Sequence, residues 1–223
     1  YDFIARAARH AADAIAGEAR AHAPLSAFDH RPSRRPRIRL GYALAYTHFH
    51  SLPMVLKEVI ERHDRGRFEI YGYSLNKCDG TEFSRGYRAA FDHFADLPRS
   101  APYGAAERIH RDGIDVLIDV SGLTGQTCMP LMSFRPAPVQ IHAFGYSITT
   151  GADYIDYLIT DRSYIPPEWA ELGSEALIYM PDTFMPAVRP GPLGGSARRA
   201  DHALPDDAVV FCNFNHPCKF EPR

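Results

Sequence analysis

The chain of 223 residues is 45% hydrophobic and carries a net charge of −2, from 25 basic and 27 acidic side chains. That is apolar material for one sizeable core with attached pieces, and so even a balance excludes the basic bias of a nucleic-acid or anionic-membrane binder. No apolar run approaches the roughly 20 residues that span a bilayer, and Cys78, Cys128, Cys212 and Cys218 form neither a CxxC pair nor a metal-ligand spacing, so a reduced, cytoplasmic protein is expected.

Residues 2–22 are alanine-rich, with Ile4, Ala8, Ala11, Ile15 and Ala19 at helical spacing, which predicts a helix. Residues 23–36 hold Pro24, Pro32 and Pro36 and read as a linker. An alternating pattern follows. Strands are predicted at 37–44, 68–75, 93–97, 114–120, 139–144, 157–160 and 176–180. Helices are predicted at 52–62, from the Thr81 cap to Phe91, at 105–111 and at 128–134. Strands alternating with helices argue for an α/β fold with a doubly wound, Rossmann-like parallel sheet.

The pattern breaks at residues 186–206, where Pro186, Pro190, Pro192, Gly191, Gly194 and Gly195 mark a linker. Residues 208–213, Ala-Val-Val-Phe-Cys-Asn, then read as a further hydrophobic strand. Such a strand needs neighbours on both faces, and ten residues follow it. The chain also begins at Tyr1. Both ends therefore read as cut. The expected organisation is helix and linker at 1–35, a lobe at 36–185, a linker at 186–206 and the start of a second lobe at 207–223.

Three predicted strand ends open into polar loops: residues 46–51, 121–127 and 145–151. In a right-handed parallel sheet they gather on one edge, where open α/β sheets bind ligands. Together they offer imidazoles, hydroxyls and flexible amides, a set suited to a polyhydroxylated ligand. His48 and His50 are the acid–base candidates; as His-x-His in an extended segment they can share one side. Two histidines without a third ligand argue poorly for a metal. The Gly122-Leu123-Thr124-Gly125 loop can present amides to a phosphate or sugar, or simply turn from strand to helix; neither GxGxxG nor a Walker A pattern is present. Lys219, past the last predicted strand, can bind phosphate as a point charge.

Several ordered segments resemble one family. Arg135-Pro136-Ala137-Pro138-Val139-Gln140, Gly145-Tyr146 and Gly151-Ala152-Asp153-Tyr154-Ile155-Asp156-Tyr157 are similar to the catalytic region of O-linked N-acetylglucosamine transferases and their SPINDLY-like bacterial relatives, glycosyltransferase family 41. Phe68-Glu69-Ile70-Tyr71-Gly72-Tyr73-Ser74-Leu75 and the run from Arg108 to Asp119 match further units, so the resemblance extends from about Ile38 to Lys219.

The resemblance implies the amino-terminal lobe of a two-lobed GT-B enzyme, with tetratricopeptide repeats upstream in many members. It implies inverting, metal-free transfer of N-acetylglucosamine or a related sugar from a nucleotide diphosphate sugar to serine or threonine of a protein acceptor. No cofactor is implied beyond that nucleotide sugar co-substrate, and neither nucleic acid nor membrane is an implied partner. The family's loop histidine falls on His50 counting forward from Gly41-Tyr42, and on His48 counting back from Met54. Lys219 and His216, with Gly145 and Thr149, fall on the donor side; Thr124 and Tyr146 fall at the acceptor or sugar pocket. The family's Gly-Tyr-Pro-Gly-Thr loop appears here as Gly145-Tyr146-Ser147-Ile148-Thr149, and the tyrosine before its lysine is Cys218. The lobe alone is expected to be inactive. A catalytically silent lobe that binds proteins or a sugar nucleotide is the competing reading, and a flavodoxin-like domain spanning 36–185 a third.

Overall fold

The computed structural model describes residues 1–21, 28–31, 34–97, 101–187, 195 and 198–213. Helix α1 (Asp2–Ala21) precedes a sheet of seven strands: β1 (Ile38–Leu44), β2 (Phe68–Ser74), β3 (His93–Asp96), β4 (Val116–Asp119), β5 (Val139–His142), β6 (Tyr157–Thr160) and β7 (Ala176–Tyr179). Helices α2 (Ser51–Glu61), α3 (Glu82–Ala89), α4 (Pro102–Arg111) and the single turn α5 (Met129–Met132) connect the first five strands. The order is β3-β2-β1-β4-β5-β6-β7, and every pairing is parallel. This is the doubly wound, Rossmann-like arrangement expected from the alternating pattern. The winding reverses between β1 and β4.

The elements form where local chemistry asks for them. Thr81 accepts the Ser84 amide at 3.2 Å and starts α3. Pro102 sits in the first turn of α4, where its missing N–H has no intrahelical role, so that helix begins three residues earlier than periodicity indicated. Strand β1 alternates across the sheet. Leu40, Tyr42 and Leu44 pack with Leu56 and Ile60 of α2 and Tyr87 of α3. Ala43 faces the opposite layer, with Ile109 of α4, Met129 of α5 and Ala12 and Ala16 of α1.

Helix α1 buries a different stripe from the expected one. Ala5, Ala8, Ala12 and Ala16 face the core, while Ile4 is 42% exposed. The reason is distance. A Cβ on Gly151 would lie 2.2 Å from the Arg9 amide nitrogen and 2.4 Å from the Ala8 carbonyl carbon, and Gly151 has φ +70°. Backbone this close admits alanine and excludes isoleucine. The segment 23–36 is also fastened to the lobe where it is described: Phe28 stacks on His110 at 4.6 Å, His30 Nε2 pairs with the Arg135 carbonyl at 2.8 Å, and Arg35 donates to the Gly113 carbonyl at 2.8 Å.

Contacts divide the chain into two units, Tyr1–Val188 and Arg189–Arg223. In the second, the segment expected to be linker carries a short 3-10 turn, Arg199–His202. The strand expected at 208–213 does not form. Val209 is 80% and Phe211 92% exposed, and a strand without a paired neighbour gains neither ladder hydrogen bonds nor burial.

Candidate functional site

At the reversal point, the loops after β1, β4 and β5 surround a cavity of about 370 Å³. Its wall includes Tyr46, His50, Leu52, Val120, Ser121, Thr124, Phe144, Gly145 and Ser147, closed by Met185 and Pro186. This is the position where open α/β sheets take ligands.

His50 reaches the cavity because it caps α2. Its backbone is extended, and its Nδ1 accepts the Leu52 amide at 3.4 Å. Its ring stacks on Tyr46 with centroids 4.9 Å apart. A neutral ring that accepts at Nδ1 carries its proton on Nε2, which is then a donor. His48 lies one step away, edge-on to Tyr46 at 5.8 Å and to His50 at 6.1 Å, and is not part of the cavity wall. Among the described residues, no three His, Cys, Asp or Glu side chains converge as a metal site.

Thr124 lines the cavity, with its hydroxyl donating to the Gln126 carbonyl at 3.1 Å. Gly145 lines it too. A Cβ there would lie 2.3 Å from the Val120 carbonyl oxygen, so only glycine lets the β5 loop approach the β4 loop this closely. Phe144 beside it, also in the cavity wall, adopts φ +72°, a strained backbone for a non-glycine residue.

Tyr146 and Thr149 fall outside the cavity wall. Tyr146 is half-buried, and burial followed by the nearby Glu175 carboxylate raises its phenol pKa. Thr149 is buried. Its hydroxyl donates to Glu175 Oε2 at 2.6 Å and accepts the Gly151 amide at 3.0 Å, while its amide donates to the Tyr1 hydroxyl at 3.2 Å. These bonds shape the loop. Lys219 and His216 lie outside the described residues.

Three groups beside the crevice were not singled out in the sequence. Ser121 is buried, lines the cavity, and its hydroxyl meets no hydrogen-bond partner among the described residues. Glu175 is buried and accepts from the Thr149 hydroxyl and from the Thr150 amide at 2.7 Å. Asp119 and His142, both fully buried, pair at 2.9 Å beneath the loops. Burial alone opposes charge on His142, but the Asp119 carboxylate and the Tyr146 carbonyl outweigh it and raise the imidazole pKa above its ordinary 6.5. Each of the three lies at a strand end or in the segment just before a strand, but nothing local marks its partner.

Comparison with known proteins agrees with this geometry. The chain is 36% identical over 175 residues to the UDP-N-acetylglucosamine–peptide N-acetylglucosaminyltransferase of Caenorhabditis elegans, covering 78% of this chain and 14% of that protein. It is 31% identical over 200 residues to a probable enzyme of the same description, SEC, from Arabidopsis thaliana, covering 84% and 20%. A solved structure of a Thermobaculum terrenum O-GlcNAc transferase mutant superposes with a TM-score of 0.70 at 32% identity, over 83% of this chain and 36% of that one. The chain thus spans a fifth or less of these two curated relatives. The profile of glycosyl transferase family 41 matches residues 3–187, the stretch that carries α1, the whole sheet and the crevice, and the chain belongs to that family.

Proposed function

We propose that this chain forms the amino-terminal, crevice-bearing lobe of an inverting protein O-glycosyltransferase of the two-lobed GT-B kind. The enzyme moves N-acetylglucosamine or a related sugar from a nucleotide diphosphate sugar to serine or threonine of a protein. Family membership supports the reaction class. The observation that carries the site is Ser121: a shielded hydroxyl without a partner among the described residues, in the wall of a cavity at the reversal point of the sheet. An unmade hydrogen bond there costs about 1–3 kcal/mol, which an oxygen of a bound sugar or acceptor recovers.

In the reaction, the acceptor hydroxyl attacks the anomeric carbon from the face opposite the leaving group. The bond from that carbon to the phosphate oxygen breaks, the nucleoside diphosphate leaves with the electron pair, and the acceptor proton passes to water or to an oxygen of the departing diphosphate. His50 presents Nε2–H to the crevice and orients a hydroxyl or a phosphate oxygen; to take the acceptor proton itself at Nδ1 it must first release the Leu52 amide. Thr124 and Gly145 shape the pocket for sugar or acceptor. Lys219 and His216 contact the donor diphosphate, by resemblance to the family. Among the described residues no helix is long and apolar enough to cross a membrane, and we place the enzyme in the cytoplasm, where cysteines without a disulfide stay reduced.

The test is transfer from labelled UDP-N-acetylglucosamine by the full-length protein to a panel of serine- and threonine-containing proteins. Labelled acceptor sensitive to Ser121→Val is the expected result. Nucleotide-sugar binding without transfer would assign a silent binding lobe instead.

A further inference from the structure

Beneath the crevice, the Asp119–His142 pair joins two of its walls. Asp119 closes β4 and His142 closes β5, and the two are paired across the sheet. Asp119 Oδ1 accepts the Ser121 amide at 3.1 Å, and Oδ2 accepts the Gly122 amide at 2.7 Å, so its carboxylate holds the start of the β4 loop. His142 Nδ1 meets the same Oδ2 at 2.9 Å, and Nε2 meets the carbonyl of Tyr146 in the β5 loop. A carbonyl only accepts, so Nε2 carries a proton. Both oxygens of Asp119 already accept an amide, so the Nδ1–Oδ2 contact places a proton on Nδ1 as well.

We propose that Asp119 and His142 form a buried ion pair that positions the crevice, fastening the β4 loop through the carboxylate and the β5 loop through the imidazolium. The residues it fastens flank cavity-wall members on both sides: Ser121 on one loop, and Gly145 and Ser147 around Tyr146 on the other. One further backbone bond, from the Gly145 amide to the Val120 carbonyl at 3.2 Å, crosses between the loops. The other titratable groups around the imidazole are Tyr146 and, more distantly, Glu175, which anchors the far end of the β5 loop through Thr149 and Thr150. The β5 loop is thus held by a cation on a carbonyl at one end and by an anion on an amide and hydroxyls at the other. Neither His142 nor Asp119 lines the cavity. Both are positioning residues, and their effect on transfer rests on the function proposed above.

The experiment uses the full-length protein. Nitrogen NMR of the His142 ring at neutral pH should show both ring nitrogens protonated; a neutral tautomer would overturn the proposal. His142→Gln strands Asp119 and can fail to fold, so the decisive variant is the neutral pair Asp119→Asn with His142→Gln. That variant keeps side-chain size close to the original and leaves no buried charge, but Asn offers one acceptor oxygen where Asp119 uses two. Amide exchange should quicken together in residues 120–124 and 144–150, while β1 and β2 stay protected. Turnover should fall by about ten- to a hundredfold, as expected for misplaced walls, with KM for the nucleotide sugar changing less than kcat. Wild-type exchange in both loops would overturn the inference. If the wild-type protein transfers no sugar, the proposed function fails, while the exchange and NMR readings still decide the role of the pair.

Discussion

His50 Nδ1 accepts the backbone amide of Leu52 at 3.4 Å, so the crevice histidine is also the cap of helix α2. One side chain therefore serves two purposes, and two substitutions separate them. His50→Asn keeps a capping side chain, while His50→Ala removes it at a cost of about 1 kcal/mol of stability. Both should lower sugar transfer at least about tenfold, with only His50→Ala lowering the unfolding midpoint. Full turnover in His50→Asn would reduce the histidine to a cap. His48→Ala, outside the cavity wall, should leave turnover within about threefold of wild type.

Gly151 lies so close to helix α1 that a Cβ on it would fall 2.2 Å from the Arg9 nitrogen, and its φ is +70°. Gly151→Ala adds a left-handed backbone penalty of about 1–2 kcal/mol to overpacking of about 1–3 kcal/mol. Denaturant unfolding should register a loss on the order of 3 kcal/mol, and limited proteolysis should release α1. A wild-type proteolysis pattern would show that the helix does not depend on this contact.

The charge on His142 gives a signed pH dependence. Its folded pKa lies above the ordinary 6.5, so its contribution to stability is complete below about pH 6.5 and is lost as pH rises through the folded value. The difference in unfolding midpoint between wild type and the neutral Asp119→Asn, His142→Gln pair should be most favourable to wild type at the acidic end of that window. It should shift toward the neutral pair as the solution is made alkaline. A shift in wild type's favour with rising pH would contradict the imidazolium.

Lys219 follows Phe214-Asn215-His216-Pro217-Cys218 in the segment that resembles the family's donor site. Lys219→Ala should weaken nucleotide-sugar binding by about 1.5–3 kcal/mol, the range for a hydrogen bond to a charged group. Titration calorimetry of the full-length protein checks this, and an unchanged affinity would remove the lysine from the donor site.

The sequence alone determined what depends on near neighbours in the chain. Apolar runs between turn signals located all seven strands of the sheet, and Thr81 marked a helix start. These are short-range properties: which face of a strand is apolar, and which side chain can reach an amide three residues on. The carboxyl-end loops and the family were legible for the same reason, since both rest on contiguous motifs.

Tertiary structure decided everything that depends on which distant backbone comes close. The buried stripe of α1 runs through Ala5, Ala8, Ala12 and Ala16 because Gly151 presses against it, a fact absent from helical periodicity. The apolar run 208–213 is no strand, because hydrophobicity supplies no pairing partner. Thr149 turns from the crevice to Glu175, 26 residues away, and His142 finds Asp119 across 23 residues. A buried charge is stable only where its counter-charge and its amides converge, and that convergence is set by the order of strands in the sheet.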